Sequence, residues 1–302
     1  MPSPSAVIVI PARLSSTRLP RKMLLAETGR PLIAHTFEAA RRSKAAVDVV
    51  VATDSDEIAD AVEAFGGTAV MTSPEAPSGT ARIVEALDRL PAADVIVNVQ
   101  GDEPELAASA IDAAIDLLAR CPEAGVATLV TPMRREEDLH DPSAVKAVLT
   151  PWRHPAGSVE TGCWRAIYFS RAPVPAARDW VPSMLQAEPP LYWQHVGLYA
   201  YRRHVLESWN ALPESRLATH ESLEQLRVIE AGIPIAAAAI GMPARHRHPE
   251  GLRLLRRAVP RRVTNGCHMN GPRRSHGSRR WASTGTRNTA PPRRVQAQGR
   301  QA

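Results

Sequence analysis

The chain contains 302 residues, 44% of them apolar, which is enough to bury one large hydrophobic core or two smaller ones. Its longest apolar stretch, residues 233–242, is too short to span a bilayer, and its first residues lack the basic region of a signal peptide, so we expect neither a membrane helix nor secretion. The net charge of +6 is uneven, because residues 241–302 hold fifteen arginines and a single acid, whereas the rest of the chain is acidic.

Apolar periodicity alternates between strand and helix patterns along the first 240 residues. Strands are predicted at residues 6–10, 47–52, 69–71, 94–99, 126–131, 145–149 and 235–240. Helices are predicted from residue 32, in the segment ending at residue 65, and at residues 80–90, 108–120 and 223–231. Residues 151–163 predict a loop or a hairpin. Repeated β-α-β units predict an α/β fold with a doubly wound, mostly parallel sheet.

The three cysteines, Cys121, Cys163 and Cys267, are isolated and form no Cys-x-x-Cys pair. An odd number of separated thiols is typical of neither a disulfide framework nor a zinc site. The pattern therefore predicts reduced thiols in a cytoplasmic protein.

A cationic loop follows the first predicted strand. Residues 6–10 are apolar and mostly β-branched, which is typical of a strand buried on both faces of a parallel sheet. The loop after them carries Arg13, Arg18, Arg21 and Lys22. Open α/β sheets bind their ligands at the carboxyl ends of the strands, and cations there suit a polyphosphate. The sequence therefore predicts a site for a nucleoside triphosphate.

An acid follows the fourth predicted strand, in the segment 97–104 with the sequence Val-Asn-Val-Gln-Gly-Asp-Glu-Pro. A carboxylate directly after a buried strand reaches the same edge of the sheet, where Mg²⁺ shared with phosphate oxygens is bound. Asp102 is the predicted metal ligand. The alternative is that Asp102 and Glu103 only cap the next turn.

A third segment, Ser-Gly-Thr-Ala-Arg at residues 78–82, precedes a predicted helix. Such a turn offers backbone N–H groups and a hydroxyl to a base or a phosphate. The alternative is ordinary turn chemistry, with Arg82 as a solvated helix residue.

Eight blocks, in order along residues 6–240, resemble those of one family. They lie at residues 11–22, 52–54, 78–82, 97–104, 145–146, 168–171, 195–201 and 223–227. The set resembles the 3-deoxy-manno-octulosonate cytidylyltransferases, also called CMP-Kdo synthetases.

The resemblance implies a fold and a reaction. It implies the nucleotide-diphospho-sugar transferase type of fold over residues 1–242, with a smaller dimerisation lobe within residues 132–205 and a homodimer. The family joins CTP and 3-deoxy-D-manno-octulosonate (Kdo) to give CMP-Kdo and pyrophosphate for lipopolysaccharide biosynthesis. Mg²⁺ is the implied cofactor.

The resemblance also implies roles for individual residues, carried over by position. The predicted catalytic residues are Arg13, Lys22 and Asp102, the last of which is the predicted metal ligand. The residues predicted to bind the nucleotide are Pro11, Ala12, Arg13, Arg18, Lys22, Asp54, Ser78, Gly79, Thr80 and Arg82. Those predicted to surround the acid sugar are Gln100, Arg171, His195, Tyr199, Glu224 and Gln225.

These residue types suit the implied reaction. The anomeric hydroxyl of Kdo must attack the α-phosphorus in line, while charge builds on the phosphoryl oxygens and on pyrophosphate. Arg171 suits the sugar carboxylate because a guanidinium binds both of its oxygens. Positioning and charge neutralisation supply the rate, so no general base is assigned. The alternative is structural, with His195 and Tyr199 as strand residues and Glu224 and Arg227 as a helix-surface pair.

The chain departs from the family in two places. Ala76 and Ala81 stand where relatives usually carry a His and an acid, which predicts weaker nucleotide affinity. After residue 240 the family has a Gly-Ile-Asp-Thr-Pro block whose Asp is the second metal ligand, and this chain has residues 245–253 instead. A legal coding of those residues, read one base later, encodes Gly-Ile-Asp-Thr-Pro-Arg-Asp-Tyr-Ala. We therefore predict a single-base slip just before Arg245, and a weak or inactive chain.

The segment 243–302 has two interpretations. Out-of-frame reading of GC-rich DNA gives an arginine-rich, lysine-free stretch of this kind, which we expect to be disordered. A nucleic-acid-binding arm is the alternative, and we do not expect it because a lone Trp281 offers no series of aromatic rings for base stacking.

Two other functions stay open at this point. One is a cytidylyltransferase for another acid sugar, such as a sialic-acid-like sugar or an amino-substituted Kdo. The other is a catalytically impaired nucleotide-binding protein whose basic tail binds nucleic acid.

Overall fold

The computed structural model describes residues 4–15 and 19–241. Four features of the sequence analysis lie outside the described residues: Arg18, Cys267, the predicted slip at Arg245 and the tail 243–302. The strands are β1 (Ala6–Ala12), β2 (Ala46–Thr53), β3 (Thr68–Met71), β4 (Val95–Asn98), β5 (Val126–Pro132), β6 (Lys146–Arg153), β7 (Val159–Ser170), β8 (Trp193–Arg202) and β9 (Ile235–Ala239). The α-helices are α1 (Leu32–Arg41), α2 (Asp56–Ala64), α3 (Gly79–Ala86), α4 (Ala108–Arg120), α5 (Glu136–His140), α6 (Arg203–Glu207), α7 (Arg216–Glu221) and α8 (Gln225–Glu230).

The nine strands found in the described residues form one sheet in the order β3-β2-β1-β4-β8-β5-β9-β7-β6. The first four of these strands run parallel, as does the pair β5 and β9. The α/β class predicted from the sequence is confirmed. The second half of the sheet is mixed rather than parallel, because β8 runs antiparallel between β4 and β5 and because β7 runs antiparallel to both β6 and β9.

Strand β1 lies at the centre of the parallel half and is buried from Ala6 to Ile10. Ile8 and Ile10 pack into the core on one face of the sheet, which includes residues of α1 and α4. Val7 and Val9 pack into the core on the other face, which includes residues of α3 and α8. Successive side chains of the strand point to opposite faces of the sheet, and both faces are covered, which explains why this segment is apolar at every position.

Residues 151–163 belong to the hairpin formed by β6 and β7, which was one of the two predicted forms. Its turn contains Gly157 with φ of +87°, a conformation that favours glycine. The smaller lobe expected within residues 132–205 stays a prediction, since this region supplies β6, β7 and β8 to the same sheet as β1.

The strand directions bring two parts of the chain to one edge of the sheet. β1 and β4 end at this edge, and β8 begins there because it runs antiparallel to β4. Asn98 at the end of β4 pairs with Tyr199, so the residues that precede Tyr199 on β8 extend beyond the end of β4. Within residues 4–15 and 19–241, no helix is long and apolar enough to cross a membrane.

Candidate active site

Lys22 and Asp102 meet at this edge. The loop after β1 ends at Arg21, whose φ of 55° is left-handed, and Lys22 then begins a short 3₁₀ turn, Lys22–Leu24. The Lys22 ammonium donates a hydrogen bond to Asp102 Oδ2 at 2.5 Å. The two side chains are 22% and 40% exposed, so both are accessible to a ligand. The predicted cation and the predicted metal ligand therefore face the same space.

Close backbone packing holds the segment that carries Asp102. Gly101 approaches the end of β1 so closely that an added Cβ would lie 3.2 Å from the carbonyl oxygen of Pro11 and 3.0 Å from Met23 Sδ. The hydroxyl of Thr36 on α1 donates to the carbonyl oxygen of Gly101 at 2.8 Å. A side chain at position 101 would therefore need Pro11 or Met23 to shift, and the close packing at this glycine places Asp102 beside the cationic loop.

Asp54 and Arg82 form an ion pair with a distance of 2.9 Å between Arg82 Nη2 and Asp54 Oδ2. The two side chains are only 6% and 3% exposed. Arg82 also donates to Thr72 Oγ1 at 2.5 Å, and the other oxygen of Asp54 accepts from the backbone N–H of Leu14 at 3.0 Å. The pair therefore connects the cationic loop to α3, and neither side chain is exposed to bulk solvent.

The N-terminus of α3 packs against the end of β1. The Ser78 hydroxyl accepts a hydrogen bond from the N–H of Ala81 at 3.1 Å and so caps the helix. A Cβ added at Gly79 would lie 3.1 Å from Pro11 Cγ. Thr80 is buried and lies close enough to the side chain of Tyr201 on β8 to lower its pKa, against the larger rise caused by burial. Three of the predicted nucleotide-binding residues are thus placed beside Pro11 and Tyr201.

His195 lies near the start of β8 among aromatic rings. Its ring is 4.9 Å from that of Phe169 and 5.2 Å from that of Tyr199, measured between centroids. Burial lowers the pKa of His195 to about 3, so the imidazole is neutral near pH 7.

A hydrogen bond assigns the tautomer of His195. Its Nε2 lies 3.0 Å from the hydroxyl oxygen of Thr128. That hydroxyl has one hydrogen, which it donates to the carbonyl oxygen of Leu198 at 2.8 Å. Nε2 must therefore carry a hydrogen and donate, which leaves Nδ1 as an acceptor.

Glu224 and Gln225 lie at the start of α8, close to β8. Burial raises the pKa of Tyr199 well above its usual value, and the ionisable groups of Tyr201 and Glu224 raise it further. Burial and Glu224 also raise the pKa of Tyr201, so Glu224 lies near both rings. Gln225 is 4% exposed, and its amide nitrogen has no hydrogen-bond partner among the residues that the structure describes. A buried amide donor without a partner is available to a ligand.

Gln100 follows β4 at the same edge of the sheet. Its side-chain amide donates a hydrogen bond to Asn98 Oδ1 at 3.4 Å.

Arg171 follows β7 and is held by main-chain carbonyl groups. Its Nε donates to the carbonyl oxygen of Glu221 at 2.6 Å, Nη1 to that of Pro142 at 2.9 Å and Nη2 to that of Ser222 at 3.2 Å. A guanidinium has five N–H groups, and the described residues accept from three of them, which leaves two for a ligand. Glu221 was not predicted from the sequence. The only sequence signal for it is its position two residues before the matched block 223–227.

The described residues contain no cluster of three or more His, Cys, Asp or Glu side chains arranged to hold a metal ion. A surface cavity of about 290 Å³ lies elsewhere, between residues 122–125 and 232–234 at the opposite edge of the sheet. It contains none of the predicted site residues.

Cations and an acid at the carboxyl ends of adjacent parallel strands define a nucleotide-binding protein of the α/β class. The profile of the family described as cytidylyltransferase matches residues 7–235, which is most of the chain. The chain belongs to the cytidylyltransferase family.

Curated relatives and a solved structure resemble the chain over most of their own lengths. A 3-deoxy-manno-octulosonate cytidylyltransferase from Rhodopirellula baltica is 46% identical over 78% of this chain and 90% of that protein. An 8-amino-3,8-dideoxy-manno-octulosonate cytidylyltransferase from Shewanella piezotolerans is 42% identical over 79% of this chain and 92% of that protein. The solved structure of a CMP:2-keto-3-deoxy-manno-octonic acid synthetase in complex with CTP is 38% identical, with a TM-score of 0.70 over 84% of this chain and 98% of that one.

Proposed function

We propose that this chain joins CTP and Kdo to give CMP-Kdo and pyrophosphate, as a step in lipopolysaccharide biosynthesis. The observation that carries the proposal is the contact between Lys22 and Asp102 at the carboxyl ends of β1 and β4, in a chain 46% identical to a protein named for this activity. The ammonium and the carboxylate supply opposite charges at the edge where a triphosphate and its cation would bind.

The nucleotide would lie across the loop after β1. Arg13 and Lys22 would neutralise the phosphates, with Arg18 in the part of the loop that is not described. The turn Ser78–Thr80 at the N-terminus of α3 would meet the cytosine or ribose, since helix N-termini present backbone N–H groups. Neutralised β- and γ-phosphates leave as pyrophosphate more readily, because charge builds on the departing oxygens when the bond to the α-phosphorus breaks.

Asp102 fits the role of a Mg²⁺ ligand. It is a carboxylate, 40% exposed, and Mg²⁺ is commonly held by one or two carboxylates together with substrate phosphates. When bound, Mg²⁺ would supply charge neutralisation at the phosphate oxygens. Lys22, which pairs with Asp102 in the structure, would then turn its ammonium to the phosphates.

The acid sugar would lie between β8, α8 and Arg171. The two remaining guanidinium N–H groups of Arg171 suit a carboxylate, and Gln225 offers an unpartnered amide donor. The neutral ring of His195 offers Nδ1 to a sugar hydroxyl. The anomeric hydroxyl then attacks the α-phosphorus, the bond to the bridging oxygen breaks, and the hydroxyl proton is lost to solvent or to the leaving group.

A second sugar is a real alternative. The relative named for an 8-amino sugar is 42% identical, close to the 46% of the relative named for the Kdo reaction. Both sugars share the carboxylate that Arg171 would bind, so this residue does not separate them.

We also propose a homodimer in the cytoplasm. Among the described residues, the exposed large apolar side chains include Val159, Ile167, Val181 and Leu191, all within the predicted dimerisation lobe. The cytoplasm is where nucleoside triphosphates are available, and the buried Cys121 and Cys163 are free thiols that a reducing compartment would preserve. Light scattering measures the mass of the particle directly.

The experiment is an assay of pyrophosphate release from CTP, with and without Mg²⁺, and with Kdo, 8-amino-Kdo, a sialic acid or no sugar. The proposal predicts release that requires both Kdo and Mg²⁺. Because the family's second metal ligand is replaced in this chain, we expect a slower rate than in a version with the reading frame restored at codon 245. Release that needs no acid sugar, or none in either version, contradicts the proposal.

A further inference from the structure

Arg171 and Glu221 hold each other through both main chain and side chain. The Glu221 carboxylate accepts from the backbone N–H of Arg171 at 2.9 Å and from the Ser170 hydroxyl at 2.6 Å. In return, Arg171 Nε donates to the carbonyl oxygen of Glu221 at 2.6 Å. Burial alone would raise the pKa of Glu221, but these hydrogen bonds together hold it below its usual value, so the carboxyl group is ionised near pH 7. This reciprocal set fixes the guanidinium relative to the strand end.

Lys146 completes the arrangement from the neighbouring strand. Its side chain is fully buried, with Nζ donating to the carbonyl oxygen of Arg171 at 2.7 Å and to that of Asp141 at 3.0 Å. A buried ammonium is costly unless its hydrogens are bonded, and these two carbonyl groups accept two of its three hydrogens. The backbone of Arg171 is therefore bonded on both sides, by Glu221 at its N–H and by Lys146 at its carbonyl group.

The same contacts fix the start of α8. Glu221 is the last residue of α7, and Ser222 follows with φ of 52°, in the left-handed region. Glu224 and Gln225 come directly after this turn. Because Glu221 is hydrogen-bonded to the end of β7, the position of the buried Gln225 amide, which follows it in the chain, is fixed as well.

We propose that Glu221 and Lys146 are positioning residues for the acid-sugar subsite. They hold the guanidinium of Arg171 and the α7–α8 turn in the relative arrangement that a sugar carboxylate requires. This inference rests on the proposed function for its ligand. Neither residue touches the sugar, and each acts through Arg171.

The test compares Glu221→Gln and Lys146→Met with Glu230→Gln as a matched control. Glu230 also accepts a hydrogen bond from a serine hydroxyl, that of Ser215, and within the described part of the chain no hydrogen bond or ion pair joins it to a predicted site residue. Each substitution removes a charged side chain that is hydrogen-bonded to the backbone of Arg171, and this loss should raise KM for Kdo about ten- to hundredfold. KM for CTP should change less than about twofold in the same variants, and the control should change neither constant. Ser170→Ala removes one donor to Glu221 and serves as a milder variant if either substitution prevents folding.

Hydrogen exchange separates failure of this inference from failure of the proposed function. Peptides covering residues 168–173 and 219–226 should exchange faster in Glu221→Gln than in wild type, while the β1–β4 peptides stay unchanged. If neither wild type nor the version with the reading frame restored at codon 245 releases pyrophosphate with any acid sugar, the proposed function fails, and exchange still tests the arrangement around Arg171. Unchanged exchange in both peptides, or equal rises in KM for CTP and Kdo, overturns the inference.

Discussion

Replacing Asp54 by Asn should destabilise the protein strongly, because it removes the charge that pairs with the buried guanidinium of Arg82. Arg82 is 3% exposed, and Asp54 is the carboxylate that pairs with it. Without that charge, the partners left to the guanidinium among residues 4–15 and 19–241 are the Thr72 hydroxyl and the carbonyl oxygen of Ser73, both uncharged. Leaving a buried charge unpaired costs about 3–5 kcal/mol, a large part of the roughly 5–15 kcal/mol that stabilises a domain.

Urea unfolding, followed by tryptophan fluorescence, measures this loss. Asn retains an oxygen that can accept from the backbone N–H of Leu14, so Asp54→Asn isolates the charge. Asp54→Ala also removes that acceptor, which should add about 1–3 kcal/mol. Glu38→Gln is the control, because Glu38 forms an ion pair with Arg30 in which both side chains are more than 40% exposed, and no resolvable change is expected there.

If Asp54→Asn unfolds at the same urea concentration as Glu38→Gln, the buried guanidinium of Arg82 does not depend on the charge of Asp54, and the predicted loss of stability is wrong. Should Asp54→Asn fail to accumulate as folded protein, Thr72→Val tests the same guanidinium more gently. It removes the hydroxyl that lies 2.5 Å from Arg82 Nη1 and should cost about 1 kcal/mol.

Three further predictions concern other parts of the chain. Folding lowers the pKa of His195 to about 3 from about 6.5 in the unfolded chain, so the unfolded state binds the proton first and stability falls as the pH drops below 6.5, by up to about 1.4 kcal/mol per pH unit. When the free energy of urea unfolding is measured at pH 7, 6 and 5, it should fall less steeply with pH in His195→Gln than in wild type, and an equally steep fall in both would contradict the neutral, half-buried ring. Gly101→Ala should lose about 1–3 kcal/mol because its Cβ meets Pro11 and Met23, whereas Gly197→Ala, where nothing lies within 4 Å, should unfold more nearly as wild type does. Sequencing the gene through codon 245 should reveal a one-base slip, and a clean in-frame read there would rule the slip out.

The parallel half of the sheet was predictable because its pattern is local. Each strand from β1 to β4 is a short apolar run, and glycine, proline or a cap separates it from the next helix. The mixed half was not predictable in the same way. β7 runs for twelve residues, with register shifts against β6, so its burial pattern does not alternate cleanly. The insertion of β8 between β4 and β5 pairs residues that are about 60 to 110 positions apart in sequence, and a short-range pattern cannot indicate such a pairing.

In the candidate site, too, some contacts were predictable from the sequence and others were not. Lys22 and Asp102 were expected to meet because both follow parallel strands, and the carboxyl ends of such strands share an edge. The ion pair of Asp54 and Arg82 and the role of Glu221 were not predicted, because each depends on a contact between distant elements. The roles in binding nucleotide and sugar that the family resemblance implies stay predictions for all of these residues.

The rate of pyrophosphate release by Asp102→Asn, measured over a range of Mg²⁺ concentrations, tests directly whether the active site lies at this edge of the sheet. If Asp102 holds the cation beside Lys22, the substitution should lower the rate about 10²- to 10³-fold and shift the Mg²⁺ dependence to higher concentration. Glu105→Gln, an exposed acid three residues further along, should match wild type. Equal rates and equal Mg²⁺ dependence for the two variants would contradict the assignment of this edge of the sheet as the active site.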